Sequence, residues 1–222
     1  ALYPMGHVTR AQRQEAPSRL TESYRVLRQS RTLKLMLALI ALTQIVITLV
    51  DFQFNAIVLE TYPDLDTRTG MIGRVYGAID IGAIAFQIGS GMVIATIGLR
   101  GVLLGIPGLI GLTVLGLTIS PVFLFVAAGK VAGKVFDYSL FRVAKEMLYL
   151  PLSYAEKTQG KAFIDIMGYR VAKGACSLML LGLTALGAGR GLGIVTCAFV
   201  AAWFFVTIAL LRTDATRIDD QK

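Results

Sequence analysis

Residues 121–151 read PVFLFVAAGKVAGKVFDYSLFRVAKEMLYLP. The stretch opens with nine apolar or small residues, and Lys130, Lys134 and Asp137 then recur at i, i+4 and i+7. That spacing puts all three on one face of a helix. From Pro121 to about Leu148 the segment is long enough to cross a hydrocarbon core, which takes about 20 mostly apolar residues. A charge at the centre of such a helix costs about 2.5–3.5 kcal/mol on insertion scales, so it faces a cavity or a partner. The stretch therefore predicts a transmembrane helix with one polar face.

The rest of the chain agrees. Of 222 residues, 55% are hydrophobic and only 16% charged, against about 25% charged in a soluble domain. Five more apolar segments are long enough to span: about Leu33–Leu59, Met71–Ile97, Gly101–Ile119, Ala162–Leu186 and Leu192–Leu211. Backbone groups in lipid must be satisfied within their own segment, which makes these helices. The expected fold is an all-α membrane protein with six transmembrane helices. Residues 1–32 form a cytoplasmic linker or tail, 33–212 the bundle, and 213–222 a polar C-terminal tail. Leu20, Tyr24 and Leu27 among arginines suit an amphipathic helix on the membrane surface, and a solvated connector fits nearly as well. Gly73 and Gly77 are spaced for close helix contact, and Gly101, Gly105, Gly108 and Gly111 line one stretch. Gly187, Gly189, Gly191 and Gly193 read as a tight turn.

Loop charge gives an orientation. Seven basic residues between Arg10 and Lys34 precede the first span, whereas Glu60, Asp64 and Asp66 mark the next loop. Lysine and arginine collect on the cytoplasmic side, so both termini are expected there. The net charge of +8 then reflects basic flanks and not nucleic-acid binding. Cys176 and Cys197 lie in apolar runs as reduced thiols. His7 is the sole histidine, so no catalytic triad or metal cluster can be assembled from these residue types. Neither an enzyme nor a cofactor is expected.

Charge inside the membrane carries the functional reading. The fifth span adds Asp165, Arg170 and Lys173, the second adds Arg74 and Asp80, and the first adds Asp51 toward its outer end. Counted from Pro121 and Ala162, Lys134 and Lys173 reach roughly 20 and 17 Å into their spans. Lys130, Lys134, Arg170 and Lys173 outnumber Asp80 and Asp137 in this deep group. An anionic solute would balance the surplus, so these six residues are the candidate substrate site. The alternative is internal pairing, such as Asp137 with Arg170 or Asp80 with Lys130, which would only pin helices together. Arg142, Lys145, Glu146 and Asp165 form a candidate inner gate near the cytoplasmic end, with snorkelling to the interface as the plainer account.

The segment Asp137–Ser177, DYSLFRVAKEMLYLPLSYAEKTQGKAFIDIMGYRVAKGACS, resembles the tenth-to-eleventh-helix region of the ATP/ADP translocases of plastids and intracellular bacteria. Their pattern there is approximately K-Y-S-L-F-D-P-T-K-E-M-A-Y-I-P-L followed by K-G-K-A-A-I-D-V-V-G. Tyr138 to Phe141, Lys145 to Met147, Tyr149, Pro151 and Leu152 match it, as do Gly160 to Ala162, Ile164, Asp165 and Gly168. The stretch TLVDFQFNA, Thr48–Ala56, is similar to the seventh helix of bacterial relatives. The resemblance runs from about Ser23 onward. Asp137 stands where those carriers have Lys, and Arg142 where they have Asp.

The resemblance implies the architecture of the major facilitator superfamily, in which two six-helix halves hold substrate between them near the bilayer midplane. This chain would supply the C-terminal half, and Arg10–Lys34 the linker. Two functions follow. One is half of a secondary transporter for an anionic solute, a nucleotide or phosphorylated metabolite, working by alternating access against a second six-helix half. The other is a non-transporting structural or assembly subunit of a larger membrane complex, its charges paired with partner helices. Membrane lipid is a partner in either case, and the resemblance implies a bacterial inner membrane.

Overall fold

The computed structural model describes residues 23–187 and 191–219, which are helical almost throughout, with no strand among them. A short helix, 23–29, precedes α1 (Arg31–Thr61), α2 (Leu65–Ile119), α3 (Phe123–Tyr138), α4 (Leu140–Tyr149), α5 (Glu156–Ala185) and α6 (Leu192–Asp219). Four helical stretches are long and apolar enough to cross a membrane: α1, α2, α5 and Leu192–Thr213 of α6. The molecule is an all-helical integral membrane protein.

Side chains start the first two helices. The Ser30 hydroxyl accepts the Leu33 N–H at 3.4 Å. The Asp64 carboxylate accepts the Thr67 N–H at 2.9 Å and its O–H at 2.8 Å, satisfying donors that a helix start leaves open. The same two bonds hold the Asp64 carboxyl below the ordinary carboxylate range.

With 55 residues, α2 would extend about 80 Å as a straight rod, far beyond a hydrocarbon core of about 30 Å. It does not run straight, because Gly98 (φ 78°, ψ 158°) has a backbone that side-chain-bearing residues avoid. The two arms, 65–97 and 99–119, fold back on each other. Tyr76 of the first arm lies under the Lys130 ammonium, 4.9 Å from Nζ to ring centroid. Thr113 of the second packs against the neighbouring Gly129, where an added Cβ would meet the Thr113 hydroxyl at 2.9 Å. In a straight helix those 37 residues would separate the two contacts by about 56 Å. Val75, Ile79 and Leu117, drawn from both arms, share one apolar cluster with Phe54, Val58 and Val126.

The segment expected as one helix from Pro121 to Leu148 is interrupted at Ser139 (φ −118°, ψ −96°). Its hydroxyl donates to the Val135 carbonyl, which also accepts the Ser139 N–H at 3.1 Å. The interruption falls between Lys134 and Lys145.

The first helix, α1, is the central post. Leu33, Met36, Leu39, Ile40, Val46, Leu49 and Phe54 are almost fully buried. Much of this face joins Leu103 and Ile110 of α2, Phe141 and Leu148 of α4, and Trp203 of α6 in the main core. Phe141 meets Trp203 edge-on, with centroids 6.3 Å apart. Two π-helical turns, Glu156–Gly160 and Ile164–Gly168, open α5. Each ends in a glycine that packs on α1, Gly160 on Leu33 and Gly168 on Leu37 and Ile40.

Several expectations are corrected. Gly73 and Gly77 face open space and make no close helix contact; Gly82 against Val135 and Gly116 against Phe125 do that instead. Gly193 belongs to the first turn of α6, packed on Thr118, and not to the turn that Gly187 (φ 70°) begins. Gly189, like Leu20 and residues 220–222, lies outside the described residues. In the helix 23–29, Leu27 is buried in the core while Tyr24 stays exposed and meets the Phe163 ring. The helix α6 runs on to Asp219, its apolar spanning part ending at Thr213.

Candidate functional site

The deepest charges converge from α1 and α3. Asp51 Oδ2 is 2.9 Å from Lys134 Nζ, and Asp51 Oδ1 is 3.3 Å from Lys130 Nζ. The register explains the meeting. Asp51 lies ten residues before the end of α1, and Lys130 and Lys134 lie seven and eleven residues after the start of α3. At about 1.5 Å per residue, antiparallel neighbours bring these positions to one level.

The triad is graded in exposure. The Lys130 side chain is 2% exposed, Lys134 15% and Asp51 28%. The Lys130 ammonium also lies over the Phe54 ring, 4.3 Å from its centroid, so aromatic faces supply part of what water would give a buried cation. Tyr76 and Tyr138, both about half exposed, flank the outer side, Tyr138 with its centroid 6.0 Å from Lys134 Nζ. On the inner side Val46, Val50, Gly129 and Gly133 leave no space for a water molecule. Two ammoniums and one carboxylate thus sit with a dry back and an accessible front.

One turn farther along α3, Asp137 accepts hydrogen bonds from Gln44 Nε2 at 3.3 and 3.5 Å. Lys134, Lys173 and Lys145 all act electrostatically on this carboxylate. Beyond the Ser139 break, Lys145 pairs with Asp165 at 2.9 Å, and Lys161 with Glu146 at 2.6 Å. Both pairs join α4 to the π-helical start of α5. Lys145 lies over the Tyr169 ring and Lys161 over the Tyr149 ring, each 5.4 Å from the centroid.

The structure brings some expected residues together and separates others. Lys130 and Lys134 meet, but on Asp51 of α1. Lys130 does not pair with Asp80, nor Asp137 with Arg170. Asp80, Arg170 and Lys173 are exposed, and none forms an ion pair among the described residues. Counting Asp51, four cations face three carboxylates, so the surplus is one and not two. Lys145 and Asp165 form a contact, and Lys161 supplies the partner of Glu146; Arg142 is exposed, its charge acting on Tyr169. Asp51, named among the intramembrane charges, was left out of the candidate site, and Gln44, Lys161 and Tyr76 were missed. Counting residues inward from the end of α1 at Thr61 and from the start of α3 at Phe123 would have found Asp51.

No group of three or more potential metal ligands occurs among the described residues. Cys176, its Sγ 3.7 Å from the Ile45 carbonyl, and Cys197 are free thiols.

The chain is 33% identical to ADP,ATP carrier protein 1 of Chlamydia trachomatis over 103 residues, 45% of this chain and 19% of that carrier. It is 34% identical to the Chlamydia muridarum protein of the same name over the same length, and 36% identical over 63 residues to ADP,ATP carrier protein 5 of Rickettsia bellii, 13% of its length. The matched part thus spans about a fifth or less of these carriers. No solved structure matches the chain. The family model for the TLC ATP/ADP transporter matches residues 1–213, so the chain belongs to that family, whose members are transporters and not enzymes.

Proposed function

We propose that this chain is the C-terminal half of a major facilitator-type secondary transporter that carries a nucleotide, or a related phosphorylated anion, by alternating access. The observation that carries the reading is the Asp51 carboxylate shared between Lys130 and Lys134 at a half-open, tyrosine-flanked site. In that arrangement a resident carboxylate occupies a cationic seat of the kind a phosphate oxygen would take. An arriving phosphate competes with Asp51 for Lys134, the more exposed lysine; when Asp51 returns, the anion is released. Catalysis of bond changes has no part in this cycle.

Six crossings fit the architecture. The two arms of α2 count separately and α3 with α4 forms one broken crossing, beside α1, α5 and α6. Both termini then face the cytoplasm of a bacterial cell. Exposed Asp80, Arg170 and Lys173 would border the cavity shared with a second six-helix half, alongside Asp137. The pairs Lys145–Asp165 and Glu146–Lys161, with Arg142 beside them, would lie at the cytoplasmic end and act as a gate that parts when the cavity opens inward. Family membership makes this reading stronger than that of a non-transporting subunit.

The test is exchange of labelled ATP and ADP by the full-length protein in proteoliposomes. Saturable, counter-substrate-dependent uptake that falls at least tenfold in Lys134→Ala supports the proposal. No uptake of any phosphorylated anion, or uptake indifferent to Lys134→Ala, overturns it.

A further inference from the structure

The far end of α6 carries a cavity that the transport reading does not use. It measures about 530 Å³ and is lined by Arg31, Phe205, Ile208, Ala209, Arg212 and Thr213. One side is cationic: Arg31 and Arg212 are exposed, and among the described residues neither has an ion-pair partner. Exposed Arg28 and Lys34 stand near Arg31 in the chain and raise the local positive potential. The other side is apolar. Phe205, 70% exposed, leads from this cavity directly into a second one.

That second cavity is a groove of about 440 Å³ between α6 and the second arm of α2. Gly108, Gly111 and Leu112 form one wall, Cys197, Ala201 and Phe205 the other, and almost all its surface is apolar. Small residues on both walls keep it open. From Arg212 to Cys197 the two cavities extend about 22 Å along α6, which is a headgroup followed by most of one leaflet's acyl depth of about 15 Å. A basic cup continuous with an apolar furrow has the chemistry of an amphiphile. Free phosphate would use only the cup, and a second copy of this chain would not call for the two guanidiniums.

The geometry points to a binding site for one anionic phospholipid, its phosphate between Arg31 and Arg212 and an acyl chain along the Gly108–Phe205 groove. Each basic side chain near a membrane surface contributes about a fivefold effect on binding an anionic lipid. Losing both should weaken it about thirtyfold.

The experiment is native mass spectrometry of the purified full-length protein, delipidated and titrated with phosphatidylglycerol or phosphatidylethanolamine. The wild type should retain one phosphatidylglycerol in preference to phosphatidylethanolamine, and millimolar inorganic phosphate should not displace it. The double variant Arg31→Gln/Arg212→Gln should lose that preference. Gly108→Leu, which fills the furrow and leaves the charge unchanged, should also lose the lipid. Should the arginine variant fail to fold, Gly108→Leu decides alone. Equal retention of the two lipids, unchanged retention in a folded variant, displacement by phosphate, or a dimer that forms through this face and excludes lipid would each overturn the assignment.

Discussion

Asp51 and Lys134, 83 residues apart in the chain, approach to 2.9 Å across the α1–α3 interface. Lys130, one turn away on the same face, has only 2% of its side chain exposed and relies on the same carboxylate. Removing one member of a buried pair leaves an uncompensated charge, at about 3–5 kcal/mol in a fully buried site. Partial exposure of Asp51 lowers that figure. Asp51→Asn is therefore expected to destabilise the folded protein by about 2 kcal/mol and to slow nucleotide release. Thermal unfolding in detergent and single-turnover efflux check the two effects.

The two lysines should separate in their phenotypes. Lys134 faces the accessible side, and Lys130 is enclosed by Asp51, Phe54 and Tyr76. Lys134→Gln is expected to weaken binding of the anion at least tenfold with a small change in stability. Lys130→Gln is expected to act mainly on stability. Binding isotherms and melting curves on both variants show whether the roles divide this way.

The pair Lys145–Asp165 joins α4 to α5 where α5 is π-helical. A gate of this kind works through complementarity of sign. Lys145→Asp alone places two carboxylates together and is expected to reduce exchange more than tenfold. The exchanged pair, Lys145→Asp with Asp165→Lys, should recover a substantial part of it. Labelled-nucleotide exchange by the single and double variants is the check, and absence of rescue would remove the pair from the gate.

Gly98 turns α2 back on itself with φ 78° and ψ 158°. A side chain in that region of backbone space costs about 1–3 kcal/mol. An added Cβ there would meet no neighbour within 4 Å, so the penalty of Gly98→Ala comes from the backbone alone. Lower thermal stability with unchanged anion affinity is the expected result, read by a melting curve and a binding isotherm on one preparation.

Much of the helical layout was legible because lipid imposes one rule on every spanning segment. The apolar run of α1 ended within two residues of the observed helix at each end, 31–61 against 33–59, whereas α2 and α5 begin six residues before their expected spans and α6 continues eight residues past Leu211. The turn at residues 98–101 was legible too, as a short basic break between apolar runs. The Ser139 interruption was not, because a serine within a long helix usually bonds back to its own turn without breaking it. Lys130, Lys134 and Asp137 announced themselves as a polar stripe. Their partners Asp51 and Gln44 did not, since partnership across helices depends on relative depth, which one helix read alone does not reveal. The pairing of Glu146 with Lys161 was hidden for a related reason: Lys161 precedes the expected span Ala162–Leu186, whereas α5 begins at Glu156 and includes it.

The central claim is that the Asp51-bound lysine pair is the seat of the transported anion. Isothermal titration of the full-length protein with ADP, comparing wild type, Lys134→Gln and Arg100→Gln, tests it most directly. The account expects Lys134→Gln to weaken ADP at least tenfold, while Arg100→Gln, exposed and outside both seat and gate, stays within about threefold of wild type. Equal affinity in wild type and Lys134→Gln would contradict it.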